Sequence, residues 1–188
     1  FANESFDAVS AQGFIEYITL EQLHDFLKVA HDVLRVGGVL ALGNRNRLFN
    51  VLSLNDYTMM EAQLGTLGHL TEEAVLIEKA VSQEDAIEQL GKFEHNYGHP
   101  VSHPETGIKV DTRYQYSPSE LVQKLVSFGF KVECLYPVNY HAFPSALLSD
   151  PEYKNMHLHM AASVSLHNFD VHQLLPFSSS FVVSATRI

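Results

Sequence analysis

Residues 6–47 read FDAVSAQGFIEYITLEQLHDFLKVAHDVLRVGGVLALGNRNR, and how this stretch alternates between two periodicities decides the fold. Residues 6–10 (FDAVS) carry β-branched and aromatic character and predict a buried strand. Thr19 with Gln22 three residues on is a capping box, after which Leu23, Phe26, Leu27, Ala30, Val33 and Leu34 recur at helical spacing and give one apolar stripe. Arg35 in the last turn and the Gly37-Gly38 pair are expected to close this helix, and the apolar run 39–42 to form a second strand. Strand, helix and strand in so short a span predict a parallel crossover, whose ligands bind outside the carboxyl ends of the strands.

Downstream the pattern loosens over residues 45–116. Thr58 with Glu61, Thr71 with Glu72 and Glu73, and Ser82 with Asp85 are expected helix starts. Residues 96–107, rich in His, Pro, Gly and Asn, have no periodicity and read as a loop. At Ser117 a capping box with Glu120, and Pro118 at the first helical position, begin a helix that buries Leu121, Val122, Leu125 and Val126 and stops at Gly129. Residues 130–136 alternate as a strand, helical spacing returns around Met156, Met160, Ala161 and Val164, and residues 180–185 form a last strand. The order predicts an α/β chain with a thin sheet of four strands.

The chain has 188 residues, 46% of them hydrophobic, enough for the core of one ordinary domain. Twelve Lys and Arg against 22 Asp and Glu leave a formal charge of −10 with no basic run, which argues against nucleic acid as a partner. No apolar run approaches the roughly 20 residues of a membrane helix, so no membrane partner is expected, and a single cysteine, which cannot form an internal disulfide, fits a cytoplasmic location. The single Cys134 lies in a strand-like run and reads as a buried structural thiol.

Residues 6–47 resemble the centre of class I S-adenosylmethionine-dependent methyltransferases, which carry FDxV, a short loop with an acidic residue, a helix and LRPGGxL; Val36 stands here in place of the Pro. SPSELVQKLVSFGFKVECLYPV (117–138) and SSSFVVSATRI (178–188) look like the last helix, the penultimate strand and the antiparallel final strand of that family. The resemblance implies a truncated Rossmann-like methyltransferase sheet, strands four to seven of the family with helical insertions. It makes residues 1–188 the C-terminal part of a single domain, with a substrate-pocket insertion at 45–116. The glycine-rich turn after the family's first strand has no counterpart here, so it is expected upstream of Phe1, and residues 1–188 alone are expected to bind the cofactor weakly.

By that resemblance the cofactor is S-adenosylmethionine, approached by Ala11, Gln12 and Gly13 after the first strand, although an ordinary strand-to-helix turn reads the same way. Glu16 and Tyr17 stand where several small-molecule O-methyltransferases carry Glu-His. Glu16 is therefore a candidate catalytic carboxylate and Tyr17 a substrate contact, with Tyr replacing the family's His. Arg45, Asn46 and Arg47 follow the second strand, where a guanidinium can clamp a substrate carboxylate or phosphate. Tyr140 and His141 follow the penultimate strand, with Tyr140 a substrate contact and His141 the candidate general base.

Eleven histidines suggest metal, but His157 and His159 are two apart, and Gly98 and Pro100 interrupt the spacing of His95, His99 and His103, so no metal site is expected. The reading is methyl transfer to a small-molecule acceptor at oxygen or nitrogen. A nicotinamide-dependent oxidoreductase and a non-catalytic interaction domain with the same fold are the alternatives; the first calls for a Tyr-x-x-x-Lys pair or a second dinucleotide half.

Overall fold

Strand β1 spans Phe6–Gln12, helix α1 Leu20–Val33 and strand β2 Leu34–Arg45 in the computed structural model, which describes residues 1–95, 97–99, 114–166 and 170–188. The Thr19 box closes on both sides: Gln22 N–H donates to Thr19 Oγ1 at 3.0 Å, and Thr19 N–H donates to Gln22 Oε1 at 2.9 Å. Leu23, Leu27 and Ala30 are the buried stripe. The helix nevertheless ends before the glycines. The chain is extended from Leu34 onward, so Arg35, Gly37 and Gly38 belong to β2.

Gly37 has φ +79°, and the β1 to β2 pairing slips between Phe6 opposite Leu34 and Ala8 opposite Val39. Gly37 therefore bends a strand instead of stopping a helix. Gly38 answers a different need, since a Cβ there would stand 2.8 Å from the Arg35 carbonyl oxygen and 3.0 Å from Leu34 Cδ2.

With β3 (Phe130–Tyr140) and β4 (Ser178–Arg187) the sheet has the order β1-β2-β4-β3. β1 is parallel to β2, and β4 is antiparallel to both β2 and β3. Two antiparallel pairings through β4 make β3 run with β1 and β2, so the chain leaves the sheet after Gln12, Arg45 and Tyr140 at one common edge. Strand β1, expected to be buried, is mostly exposed because it pairs on one side only; Phe6, Val9 and Ala11 are half-buried.

Beyond β2 come α2 (Asn50–Ser53), α3 (Asp56–Leu64), α4 (Leu67–Lys79) and α5 (Gln83–Lys92), then α6 (Pro118–Ser127) before β3 and α7 (Pro151–Leu166) after it. The caps at Ser82 and Ser117 form as expected. Asn55, not Thr58, caps α3, with Thr58 as the reciprocal member of the box. Thr71 is inside α4, its hydroxyl donating to the Leu67 carbonyl at 2.7 Å. Leu23 and Leu27 of α1 and Leu121 and Leu125 of α6 join Leu40, Leu42, Leu135, Phe181 and Val183 of the sheet in one core. Val126 points outward, 57% exposed, and Cys134 is a half-buried free thiol on β3. Most of the 96–107 stretch lies outside the described residues, and no described helix is long and apolar enough to cross a membrane.

Two glycine substitutions should separate crowding from conformational freedom. Gly38→Ala forces a Cβ against backbone and should cost about 1–3 kcal/mol. Gly68→Ala, in α4 with open space around it, should add up to about 1 kcal/mol. Urea unfolding midpoints of the two variants check both signs.

Candidate active site at the strand ends

The common sheet edge carries a cavity of ≈ 330 Å³ whose lining includes Arg45, Asn50, Asn55, Gln115, Asn139 and His141. Beside it, between the ends of β3 and β4 and helix α7, a second cavity of ≈ 660 Å³ is lined by Tyr140, His157, Ala161, Val164 and Leu174 among others. Asn139, His141 and Ser179 belong to both walls. The edge cavity is amide-rich, and its neighbour adds apolar side chains.

His141 stands where the two meet. Its backbone N–H donates to the Phe177 carbonyl at 2.8 Å, and its ring lies 4.7 Å from the Phe49 ring and 5.5 Å from that of His157. Its Nδ1 is buried with no hydrogen-bond partner among the described residues. Burial, and secondarily the neighbouring His157, holds the His141 pKa below the ordinary histidine value, so the ring is neutral and its free nitrogen is a lone-pair acceptor. His157 is fixed by the Ala142 N–H, which donates to its Nδ1 at 3.1 Å. Asn139, two residues before His141, has φ +58°, a left-handed turn that Asn tolerates better than most residues.

Arg45, the last residue of β2, is 44% exposed, and its Nε lies 3.5 Å from Glu16 Oε2. Glu16 is buried in the short turn Ile15–Tyr17, and this contact is an ion pair without a hydrogen bond. Arg45 and His141 therefore share one wall, while Glu16 reaches it only through Arg45. Tyr17 is half-exposed on the same turn and does not line either cavity.

Asn46 and Arg47 have internal partners. The Asn46 amide donates to the carbonyls of Leu175 and Ser178 at 2.7 and 2.9 Å, and its oxygen accepts the Leu48 N–H, which ties the exit of β2 to the entry of β4. Arg47 was expected to be available to substrate, yet it is 1% exposed. Its Nε and Nη2 donate to the two Glu61 oxygens at 3.0 and 2.9 Å, Nη2 also to the Gly98 carbonyl, and its guanidinium lies 5.1 Å from the Tyr97 ring centre. The acids of the insertion, read from sequence as helix starters, supply the matching charge. Glu73 is likewise buried, accepting from Ser119 N–H and hydroxyl and from Tyr97 hydroxyl, and desolvation raises its pKa to about 7.

Ala11 and Gln12 are the last residues of β1 instead of loop residues, and the turn begins at Gly13, whose N–H donates to the Gly43 carbonyl at 3.1 Å. The Gln12 side chain lies across Gly43, where a Cβ would collide with its amide. Gly13 has φ +60° and nothing within 4 Å of where a Cβ would stand, so a ligand can approach its backbone closely. Asn50, Asn55, Gln115 and Asn139 escaped sequence reasoning, with the left-handed tolerance of Asn as the one signal, and His157 was weighed only as a metal ligand. Among the described residues no group of three His, Cys, Asp or Glu is placed to hold a metal ion, and His103 lies outside them.

No family model and no curated protein matches the sequence. Among solved structures, a SAM-dependent methyltransferase from Methanosarcina mazei matches with a TM-score of 0.51 at 15% identity, covering 100% of this chain and 62% of that one. A SAM-dependent methyltransferase from Archaeoglobus fulgidus gives a TM-score of 0.47 at 11% identity, with 100% and 62% coverage. The chain shares the fold of the Methanosarcina SAM-dependent methyltransferase and spans about three fifths of the length of the structures it matches.

The two arginines should differ sharply in stability. Arg47→Ala leaves Glu61 buried without its cation and should cost about 3–5 kcal/mol. Arg45→Ala breaks a half-exposed pair and should cost about 0–1 kcal/mol. Equal shifts in the urea midpoint for both variants would contradict the burial difference.

Proposed function

We propose that the chain belongs to an enzyme that transfers a methyl group from S-adenosylmethionine to an oxygen or nitrogen of a small polar acceptor. The observation that carries this reading is the alignment of Gly13, Arg45 and His141 along one sheet edge, next to a cavity of ≈ 330 Å³. Open sheets of this kind bind ligands at the carboxyl ends of their strands, and the fold is one that hosts SAM-dependent methyl transfer in the Methanosarcina protein. Arg45, Asn50, Asn55 and Gln115, from the described part of the 45–116 insertion, line the acceptor pocket together with His141.

The residues present fit the methionine end of the cofactor. Gly13 offers open backbone, Gln12 an amide, and Ala11 a side chain too small to crowd the strand end. When bound there, the sulfonium supplies an electrophilic methyl group. His141 Nδ1 takes the acceptor proton, because burial keeps the ring neutral and leaves that nitrogen free. Arg45, steadied by Glu16, anchors an anionic or carbonyl group of the acceptor. Asn46 holds the strand end that carries Arg45, Arg47 holds the insertion behind it, Tyr140 bounds the outer cavity, and Tyr17 flanks the cofactor turn.

With the protein expressed from its whole reading frame and radiolabelled S-adenosylmethionine, label should pass to hydroxylated or amino acceptors. Turnover should rise with pH through a pKa below the ordinary histidine value, since the proton must leave His141 before it can act as a base. His141→Ala should lower turnover at least about a hundredfold, and Arg45→Ala should raise the acceptor KM about tenfold with little change in kcat. Unchanged kinetics in both variants would remove the assigned roles.

A further inference from the structure

Between the start of α1, the His95, Tyr97 and His99 side chains and α6 lies a cavity of ≈ 400 Å³ that shares no lining residue with the two cavities at the strand ends. Four rings line it: His95, Tyr97, His99 and Tyr116. His95 and Tyr97 stack at 4.8 Å with their planes 6° apart, and the His99 ring lies 5.7 Å from that of Tyr116. A volume of this size is in the range of small-ligand sites, about 300–1,000 Å³.

Three buried polar atoms on the walls of this cavity make no hydrogen bond among the described residues: His95 Nε2, His99 Nδ1 and the Tyr116 hydroxyl. His99 Nε2 lies 3.1 Å from Glu120 Oε1, so that nitrogen is the donor to the carboxylate, and Nδ1 is left as the ring's other hydrogen-bonding atom. His99 Nδ1 is buried and has no hydrogen-bond partner among the described residues. The Tyr116 hydroxyl is in the same condition on a side chain only 1% exposed. A buried polar atom of this kind is costly unless it is paired. Glu120 itself is engaged by the Ser117 N–H and lies 3.8 Å from Arg47 Nη1.

Charge narrows the ligand further. Glu120 repels an anion, while Arg47 behind it and Lys124 on the wall disfavour a cation. A neutral molecule remains, flat enough for ring walls and able to donate one hydrogen bond. We infer that this cavity is a second small-molecule site, in which a neutral planar aromatic ligand donates a ring N–H or O–H to His99 Nδ1, an imidazole oriented by Glu120. The site is independent of the methyl-transfer reading, because it needs neither the cofactor turn nor Arg45 and His141.

Indole and its carbon isostere indene are the probes. The chain contains no Trp, so indole fluorescence anisotropy reports binding directly, without cofactor or acceptor present. Indole should bind saturably at one site, His99→Phe should weaken it about tenfold while keeping the ring wall, and indene should displace it with an inhibition constant about tenfold above the indole Kd. Absence of saturable binding, equal affinity in His99→Phe, or equal competition by indene would overturn the assignment. Should His99→Phe fail to fold, as judged by circular dichroism, the comparison of indole with indene on the native chain decides alone. Activity data on methyl transfer leave either outcome untouched.

Discussion

A buried two-point ion pair between Arg47 and Glu61 fixes the relation between the end of β2 and the helices that follow it. Arg47 lies two residues past the end of β2, and Glu61 comes from α3, so the pair staples the insertion to the strand end. Glu61 is fully buried and also accepts from Asn50 and Thr66, which leaves its carboxylate well supplied with donors. Asn50 in turn donates to Gln115, and both line the edge cavity. The charge pair therefore holds the cavity wall through two further side chains. Arg47 Nη1 makes no hydrogen bond among the described residues and lies 3.8 Å from Glu120, so the pair contributes little net stability, while loss of either partner alone is expensive.

The second constraint is direction. Inserting one antiparallel strand between β2 and β3 restores a parallel sense across three strands, so their exits converge without any need for adjacency in sequence. Gly13, Arg45 and His141 are far apart along the chain, yet the sheet order places all three at the same edge, with Arg45 and His141 on one cavity wall. Two of the exits are set locally, by positive φ at Gly13 and by the left-handed Asn139 before His141, and the third by the long-range bonds of the Asn46 amide to Leu175 and Ser178.

Most of the framework was legible in the sequence because it rests on local signals. The boxes at Thr19 and Ser117, the cap at Ser82 and the stop at Gly129 are contacts within a few residues, and all are found. The errors have a common cause in contacts made at long range. Gly37 and Gly38 look like a helix stop until the pairing of β1 with β2 requires a bend and a close approach. Arg47 looks like a loop arginine until Glu61, Gly98 and Tyr97 close around it. The cavity amides gave no warning, since Asn50 and Gln115 acquire their position from the ion pair and not from their neighbours in sequence.

The central claim is that the edge bearing Gly13, Arg45 and His141 is where cofactor and acceptor meet. A crystal structure of the protein, expressed from its whole reading frame, with S-adenosylhomocysteine bound tests this most directly. The account predicts the homocysteine end beside Gly13, with its sulfur facing the cavity shared by Arg45 and His141. Density for the ligand at the opposite end of the strands, or a sulfur directed away from that cavity, would contradict it.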